Sequence, residues 1–104
     1  MTRGDAYRVQ LPAGRGREQR GPRYGIIVQA DALLGLSTAI IAPTSRSAAP
    51  ATFRPEVVLA GDTTRVLVEQ FRAVDLHRLG EHVGRLAPDE QRAVDEALEL
   101  LLGL

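Results

Sequence analysis

The pattern of hydrophobic and polar positions over residues 1–86 predicts a series of short β-strands. In AYRVQL, at 6–11, the side chains of Tyr7, Val9 and Leu11 lie at every second position, which is typical of a half-buried strand. Other strands are indicated by β-branched or apolar runs, which are YGIIVQ at 24–29, STAIIAP at 37–43, EVVL at 56–59, RVLVEQFRAV at 65–74 and HVGRL at 82–86. The turn signal Gly61-Asp62 predicts a hairpin between EVVL and the run that follows it.

The tail of the chain, from Pro88 onward, has the period of a helix. Pro88 suits the first helical position, and Asp89 and Glu90 lie where the helix dipole favours anions. The apolar stripe of this helix consists of Val94, Ala97, Leu98, Leu101 and Leu102. Because no helix is predicted between the strands, the elements imply a small, mainly β antiparallel barrel or half-barrel, with the terminal helix over an open end or side.

Length and composition limit the class of protein. A chain of 104 residues suits one domain, 1–104, with a single core. The absence of cysteine excludes disulfides and thiolate metal sites, and it fits an intracellular, cytoplasmic setting. The apolar runs are far shorter than the roughly 20 residues that span a bilayer. We therefore expect a soluble chain without a membrane partner.

The charges are unevenly distributed although the formal net charge is zero. Residues 1–54 contain eight arginines and three acidic residues, whereas residues 55–104 contain five arginines and ten acidic residues, which is +5 against −5. A basic half in a neutral chain favours an anionic partner. The absence of lysine adds nothing to this, because a GC-rich genome produces the same bias.

Two predicted loops carry the candidate chemistry, and both are expected to be exposed. One is the basic loop at 12–23, which overlaps the stretch GRGREQRGPRYG at 14–25, and the other is TSRSAAPATFRP at 44–55. The basic loop lacks the Gly-Lys-Ser/Thr ending of a P-loop and is followed by a strand, so a phosphate cradle of that type is not indicated. Taken alone, such a charge cluster is more often a solvated turn.

The residues that usually support metal-dependent or histidine-dependent catalysis are poorly placed. His77 and His82 are expected to be exposed, and they form no metal-binding pair. The acidic residues gather on the predicted helix, where they are typical of a solvated face. We therefore predict no metal and no cofactor.

The ordered motifs of the chain resemble the MazF/PemK family of toxin endoribonucleases from type II toxin–antitoxin modules. In this chain, RGDAYRVQLP resembles the family's opening strand, and GREQRGPRYGIIVQAD resembles its basic loop and second strand. IIAPTS resembles the third strand, RVLVEQFRAVD a later strand and VDEALELLLGL the closing helix. The resemblance covers nearly the whole chain. It implies an SH3-like barrel that forms a homodimer and is silenced by a cognate antitoxin.

The resemblance also implies a reaction and the residues that perform it. The reaction is metal-independent cleavage of single-stranded or loop RNA (mRNA, tRNA or rRNA) at short sequences, by attack of the 2′-hydroxyl, which inhibits translation and growth. The family's catalytic arginine and threonine match Arg23 and Thr44. The residues expected to bind RNA or to order the basic loop are Arg15, Arg17, Glu18, Gln19, Arg20, Ser45, Arg46 and Ser47. Where the family commonly has Arg-Pro, this chain has Arg23 followed by Tyr24 and Gly25, so the proline that stiffens the strand entry is absent.

Two other functions remain as alternatives. One is an SH3-like module that binds RNA or protein without cutting, and the other is a DNA-binding regulator. The second is the weaker alternative, because the predicted helix is acidic and offers no basic recognition surface. Taken without the resemblance, Thr44 is a strand-end hydroxyl that closes its own turn.

Overall fold

The computed structural model describes residues 1–12, 16 and 21–104 and shows mainly β structure. Within these residues the strands are Asp5–Leu11 (β1), Gly21–Ile27 (β2), Thr38–Ser45 (β3), Glu56–Leu59 (β4), Asp62–Val66 (β5), Arg72–Asp75 (β6) and Leu79–Arg85 (β7), and the α-helix is Pro88–Leu102 (α1). Short 3-10 turns lie at Asp31–Leu33, Val68–Gln70 and Leu76–Arg78. Across this described part of the chain, no helix is both long and apolar enough to cross a membrane.

The strands form an antiparallel sheet that curls into a half-barrel. Their order is β4-β5-β3-β2-β1-β7, and β6 pairs with β3 outside this path. β3 pairs with β2 along one edge and with two strands along the other, because residues 38–41 pair with β6, whereas Thr44 and Ser45 pair with β5. A strand that is shared in this way bends the sheet back on itself. The predicted mainly β half-barrel with a terminal helix is confirmed.

β4 and β5 form the predicted hairpin. Leu59 pairs with Asp62, so the turn consists of Ala60 and Gly61 alone. Both residues have positive φ, 50° and 82° respectively. Two consecutive residues with positive φ are typical of the tight turn that matches the twist of a hairpin, and glycine adopts this conformation without strain.

The segment RVLVEQFRAV is not one strand, and this prediction was wrong. β5 ends at Val66, and a 3-10 turn at Val68–Gln70 separates it from β6. Val66, Leu67 and Val68 are all buried, which a strand with one exposed face does not allow, because successive side chains point to opposite faces. The Leu67 amide instead donates a hydrogen bond to the Pro43 carbonyl oxygen at 2.8 Å. The turn then carries the chain from one half of β3 to the other.

Two apolar clusters pack against opposite faces of the central strands. The first, which includes the contact with α1, contains Ala6, Ile26, Ala42, Val57, Leu59, Val66, Val68, Leu86, Val94 and Ala97. The second contains Val9, Leu11, Ile27, Ala39, Ile41 and Val74. β1, β2 and β3 contribute to both clusters and are therefore fixed from two sides. These are the strands that carry the site described below.

The helix α1 starts at Pro88, as predicted, and Glu90 ties its first turn to the sheet. The Glu90 carboxylate accepts hydrogen bonds from the Ala87 amide and from the Val58 amide of β4, both at 2.8 Å. The first of these bonds satisfies an amide at the helix N-terminus, where an anion is also favoured by the dipole.

The predicted apolar stripe of α1 is buried at its start and exposed at its end. Val94 and Ala97 are buried in the first cluster, whereas Leu101 and Leu102 are 38% and 50% exposed. Gly103, with φ of 70°, ends the helix in the left-handed conformation that favours glycine. The helix therefore packs on the first cluster through its middle turns and leaves an apolar end at the surface.

Candidate functional site

A cavity of about 360 Å³ opens where β1, β2, β3 and β5 meet. Its lining is assembled from distant parts of the chain and consists of Arg8, Val9, Gln10, Arg23, Tyr24, Thr44, Ser45, Arg46, Asp62, Thr64, Arg78 and Gly80. Among these described residues there are four arginines against one acidic residue. A concave surface with this excess of positive charge attracts anions.

Four of the ten predicted site residues line this cavity. They are Arg23, Thr44, Ser45 and Arg46. Ser47 does not belong to the lining, but its amide nitrogen and its hydroxyl oxygen both lie 3.3 Å from Ser45 Oγ. The remaining five, Arg15, Arg17, Glu18, Gln19 and Arg20, lie outside the described residues. Their part in RNA binding stays a prediction.

Arg23 lies in a strand instead of at the end of the predicted basic loop. β2 begins at Gly21, which pairs with Leu11, and Arg23 pairs with Val9. This pairing extends β2 toward the loop and fixes the backbone of Arg23. The side chain is exposed and presents five N–H donors in a planar fork that matches a phosphate group.

Thr44 also lies in a strand instead of in the predicted loop, because its pairing with Val66 continues β3 to Ser45. It is 3% exposed, and its Oγ1 donates a hydrogen bond to the Tyr24 carbonyl oxygen at 3.3 Å. Since Tyr24 follows Arg23, this bond connects the two predicted catalytic positions. A hydroxyl has one proton and two lone pairs, so Thr44 is available to other groups as an acceptor while the bond persists.

Arg8 and Arg78 line the cavity but were missed by the sequence analysis. The guanidinium carbon of Arg8 lies 5.3 Å from the centroid of the Tyr24 ring, in a cation–π contact, and its Nε lies 3.5 Å from Glu81 Oε2. Arg78 Nη1 donates to the Gln10 carbonyl oxygen at 3.3 Å. In the alternating run of β1, Arg8 and Gln10 occupy the positions between Tyr7, Val9 and Leu11 and therefore share one face. No sequence signal indicated that Arg78 returns to the same place.

Asp62 and Thr64 reach the cavity from β5 and were also missed. Asp62 Oδ1 lies 3.9 Å from Arg46 Nη1. The two side chains are 45% and 74% exposed, so water screens this pair and it contributes little. Thr64 is 2% exposed, and its Oγ1 has no hydrogen-bond partner among the residues that the structure describes.

The two histidines are exposed, as predicted, and neither lines the cavity. His77 Nδ1 lies 3.0 Å from Asp75 Oδ1, and His82 Nε2 lies 3.4 Å from Asp5 Oδ1. The side chains of His77 and His82 are 76% and 50% exposed. Over residues 1–12, 16 and 21–104, no three His, Asp or Glu side chains are grouped as metal ligands.

Asp5 is a buried carboxylate outside the cavity lining that holds β1 to β7. It accepts hydrogen bonds from the Arg85 guanidinium at 3.0 Å and from the Thr2 amide at 2.8 Å. Burial by itself raises the pKa of Asp5, but the hydrogen bonds from Arg85, Thr2 and His82 outweigh it and bring this pKa below its usual value. The carboxylate form is therefore favoured in the folded state.

Comparison with known proteins gives consistent results over the whole chain. Residues 2–102 match the family of PemK-like, MazF-like toxins of type II toxin–antitoxin systems. A Mycobacterium tuberculosis protein named as a toxin is 40% identical over 106 residues, which cover 100% of this chain and 99% of that protein. Endoribonuclease MazF9 of the same organism is 30% identical over 116 residues, which cover 100% of this chain and 98% of that protein. An endoribonuclease from a mycobacterial species, solved in complex with its cognate antitoxin, has the same fold, with a TM-score of 0.82 and 20% identity. The match covers 100% of this chain and 96% of that chain.

Proposed function

Because the chain belongs to the family of PemK-like, MazF-like toxins of type II toxin–antitoxin systems, we propose that it is a metal-independent endoribonuclease. The observation that carries this proposal is the cavity, in which Arg23 and Thr44 lie together with Arg8, Arg46 and Arg78. This lining suits the phosphate of an RNA strand, since guanidinium forks and hydroxyls are among the groups that bind phosphate oxygens.

The proposed reaction uses the RNA's own 2′-hydroxyl as the nucleophile. Its oxygen bonds to the adjacent phosphorus, the bond from phosphorus to the 5′-oxygen breaks, and the products carry a 2′,3′-cyclic phosphate and a 5′-hydroxyl. The protein must stabilise the charge of the phosphorane and assist two proton transfers. Arg23 stabilises the charge, and the Thr44 hydroxyl forms hydrogen bonds at the same cavity. Arginine is a poor base, since its pKa is above 12, so we assign Arg23 no proton abstraction.

The remaining predicted residues position the strand. Arg46 and four residues of the predicted basic loop, Arg15, Arg17, Gln19 and Arg20, contact the RNA backbone, and Glu18 reduces the repulsion among these arginines. Ser45 and Ser47, whose hydroxyls are hydrogen-bonded to each other in this structure, add hydrogen bonds to phosphate or sugar. The substrate is single-stranded or looped RNA cut at short sequences, with inhibition of translation and growth as the consequence.

The experiment that tests this proposal is cleavage of a mixed RNA pool, followed by mapping of 5′-hydroxyl ends. We expect cleavage at a short sequence motif, and the same rate with and without EDTA. A deoxyribose on the 5′ side of the cut should abolish cleavage and leave binding nearly intact, because the nucleophile is then missing. Loss of activity in EDTA would require a metal, cleavage of the deoxy substrate would exclude 2′-hydroxyl attack, and binding without cutting would favour the non-catalytic module.

We further propose that the active form is a homodimer. Ile40 on β3 and Phe71, next to β6, are 36% and 38% exposed, and β6 pairs with β3, so the two side chains belong to neighbouring parts of the sheet. Apolar surface of this kind is suited to a two-fold interface that joins two basic loops into one RNA groove. Sedimentation at micromolar concentration should give the dimer mass, and a monomer at that concentration would contradict the proposal.

The partner that silences the enzyme is a cognate antitoxin. We propose that an acidic, partly disordered antitoxin segment binds along the cavity and competes with RNA for the same arginines. Titration of the antitoxin into an RNA complex should release the RNA. A ternary complex with RNA binding unchanged would rule out this mode of inhibition.

A further inference from the structure

Thr64 has a buried hydroxyl that makes no hydrogen bond to any of the described residues. It lies in β5, pairs with Val57 of β4 and is 2% exposed. Its Oγ1 has no hydrogen-bond partner within the described chain, yet Thr64 lines the cavity. The next residue back, Thr63, is exposed and does not belong to the lining, as expected for the opposite face of the strand.

An unpartnered buried hydroxyl opposes folding, because the group gives up its hydrogen bonds to water without replacement. Valine has nearly the same shape and would fill the position without this penalty. The second buried oxygen without a partner among the described residues, Glu69 Oε1, is different. It belongs to a carboxylate whose Oε2 already binds the Arg54 Nε and Nη2 at 3.0 and 2.7 Å, and it is not part of the cavity lining.

Thr64 also differs from Thr44, the other threonine of the cavity. The Thr44 proton is directed at the Tyr24 carbonyl oxygen, so Thr44 must give up that bond before it can donate to a ligand. The Thr64 proton has no such engagement among the described residues. Thr64 is therefore the threonine of this cavity whose hydroxyl is ready to donate.

We infer that Thr64 binds the RNA substrate by donating a hydrogen bond from Oγ1 to a phosphate oxygen. This inference rests on the proposed function and adds a residue to its site. A phosphate oxygen is the acceptor, because the same cavity presents the arginines Arg8, Arg23, Arg46 and Arg78, which favour an anion next to the hydroxyl. The bound RNA thus supplies a hydrogen bond that the Thr64 hydroxyl does not make within the described part of the chain.

The test compares stability with RNA binding in Thr64→Val, which removes the hydroxyl but keeps the shape. We expect Thr64→Val to melt at a higher temperature than the wild type and to bind RNA about tenfold to a hundredfold more weakly, the range for one hydrogen bond to a charged group. Thr64→Ser, which keeps the hydroxyl, should bind within a few-fold of the wild type. Thr63→Val is the matched control and should change neither measurement appreciably.

Binding is measured on single-stranded RNA with 2′-O-methyl riboses, which lacks the nucleophile, and cleavage is measured separately on unmodified RNA. If the wild type cleaves RNA and Thr64→Val binds and cleaves equally well, the inference is wrong and the proposed function stands. Loss of both binding and stability in Thr64→Val would also overturn it, because the hydroxyl would then have a structural role. If the wild type binds RNA without cutting it, the proposed catalysis fails, and the binding measurements still decide the role of Thr64. If the wild type neither binds nor cuts RNA, both the role of Thr64 and the proposed function are wrong.

Discussion

Replacing Arg23 with alanine should separate catalysis from folding. The side chain is exposed, while the backbone of Arg23 is fixed by its pairing with Val9. Truncation of an exposed side chain away from caps and buried networks changes stability by about 0.5 kcal/mol or less. The folded structure, including the hydrogen bond from Thr44 to the Tyr24 carbonyl, should therefore survive in Arg23→Ala.

The catalytic effect should be large because the guanidinium acts mainly on the phosphorane. Removing one hydrogen-bond donor to a transition-state oxyanion lowers kcat by about 10²–10³, and an arginine that acts on a transferred phosphoryl group contributes about 10³–10⁵. We expect about a 10³-fold loss, equivalent to about 4 kcal/mol. Ground-state binding should weaken much less, since Arg8, Arg46 and Arg78 remain in the cavity. The dependence of log K on log salt should fall by about 0.7, as for one lost phosphate contact on a single strand.

The assay is single-turnover cleavage, with RNA affinity measured in parallel over a range of salt concentrations. Arg92→Ala is the matched control, because it removes the same charge from an exposed position of α1 outside the cavity. Arg23→Lys should recover affinity more than rate, since lysine keeps the charge but lacks the planar fork. A cleavage rate within a few-fold of the wild type in Arg23→Ala would refute the assignment, and so would an equal loss in Arg92→Ala.

Three further predictions concern Thr44, Asp5 and the Arg54–Glu69 pair. Thr44→Val should cleave about a hundred- to a thousandfold more slowly in the same assay, and an unchanged rate would return Thr44 to the role of a strand-end hydroxyl. In urea unfolding, Asp5→Asn should be about 1–3 kcal/mol less stable than the wild type at neutral pH. Folding lowers the pKa of Asp5, so the contribution of the Asp5 carboxylate to stability is complete above the unfolded-state pKa and is lost as the pH falls through the folded-state pKa. The difference in stability between wild type and variant should therefore shrink below about pH 4. A difference that grows on acidification would have the wrong sign. Arg54→Met should cost about 3 kcal/mol in urea unfolding, because it leaves the Glu69 carboxylate unpaired, and adding Glu69→Leu should recover most of this loss.

The sequence was sufficient to predict a strand where the burial pattern or the turn signal is uniform along the run. The alternation of Tyr7, Val9 and Leu11 was sufficient for β1, and the Gly61-Asp62 signal was sufficient for the hairpin. The prediction failed in RVLVEQFRAV, where the buried run of Val66, Leu67 and Val68 conceals the turn that separates β5 from β6. A local pattern indicates that such residues are buried, but it does not show which strand buries them.

The candidate site was predictable only in part, for a similar reason. Arg23 and Thr44 came from the resemblance to a family, and their places in β2 and β3, not in loops, became visible only with the pairing of strands. Arg78 and Thr64 belong to segments without any motif. They join the cavity because β5 and the turn before β7 approach β1 and β3 in space. Long-range strand pairing produces such groupings, and no local pattern records them.

Tyr24, which stands where the family commonly has proline, changes the contacts of the candidate site less than the loss of a proline suggests. The group that contacts Thr44 is the Tyr24 carbonyl oxygen, and every residue, including proline, offers a carbonyl oxygen at that position. The stiffening that a proline ring provides has a substitute in packing. A Cβ at Gly25 would lie 3.1 Å from Val9 Cγ1 and 3.3 Å from Ile41 Cδ1, so glycine allows side chains of both neighbouring strands to pack closely on β2 two residues after Arg23. The Tyr24 ring in turn holds Arg8 at the cavity. The side-chain change therefore keeps a carbonyl oxygen for Thr44 at position 24 and gives Arg8, which lines the same cavity, an aromatic ring to pack against.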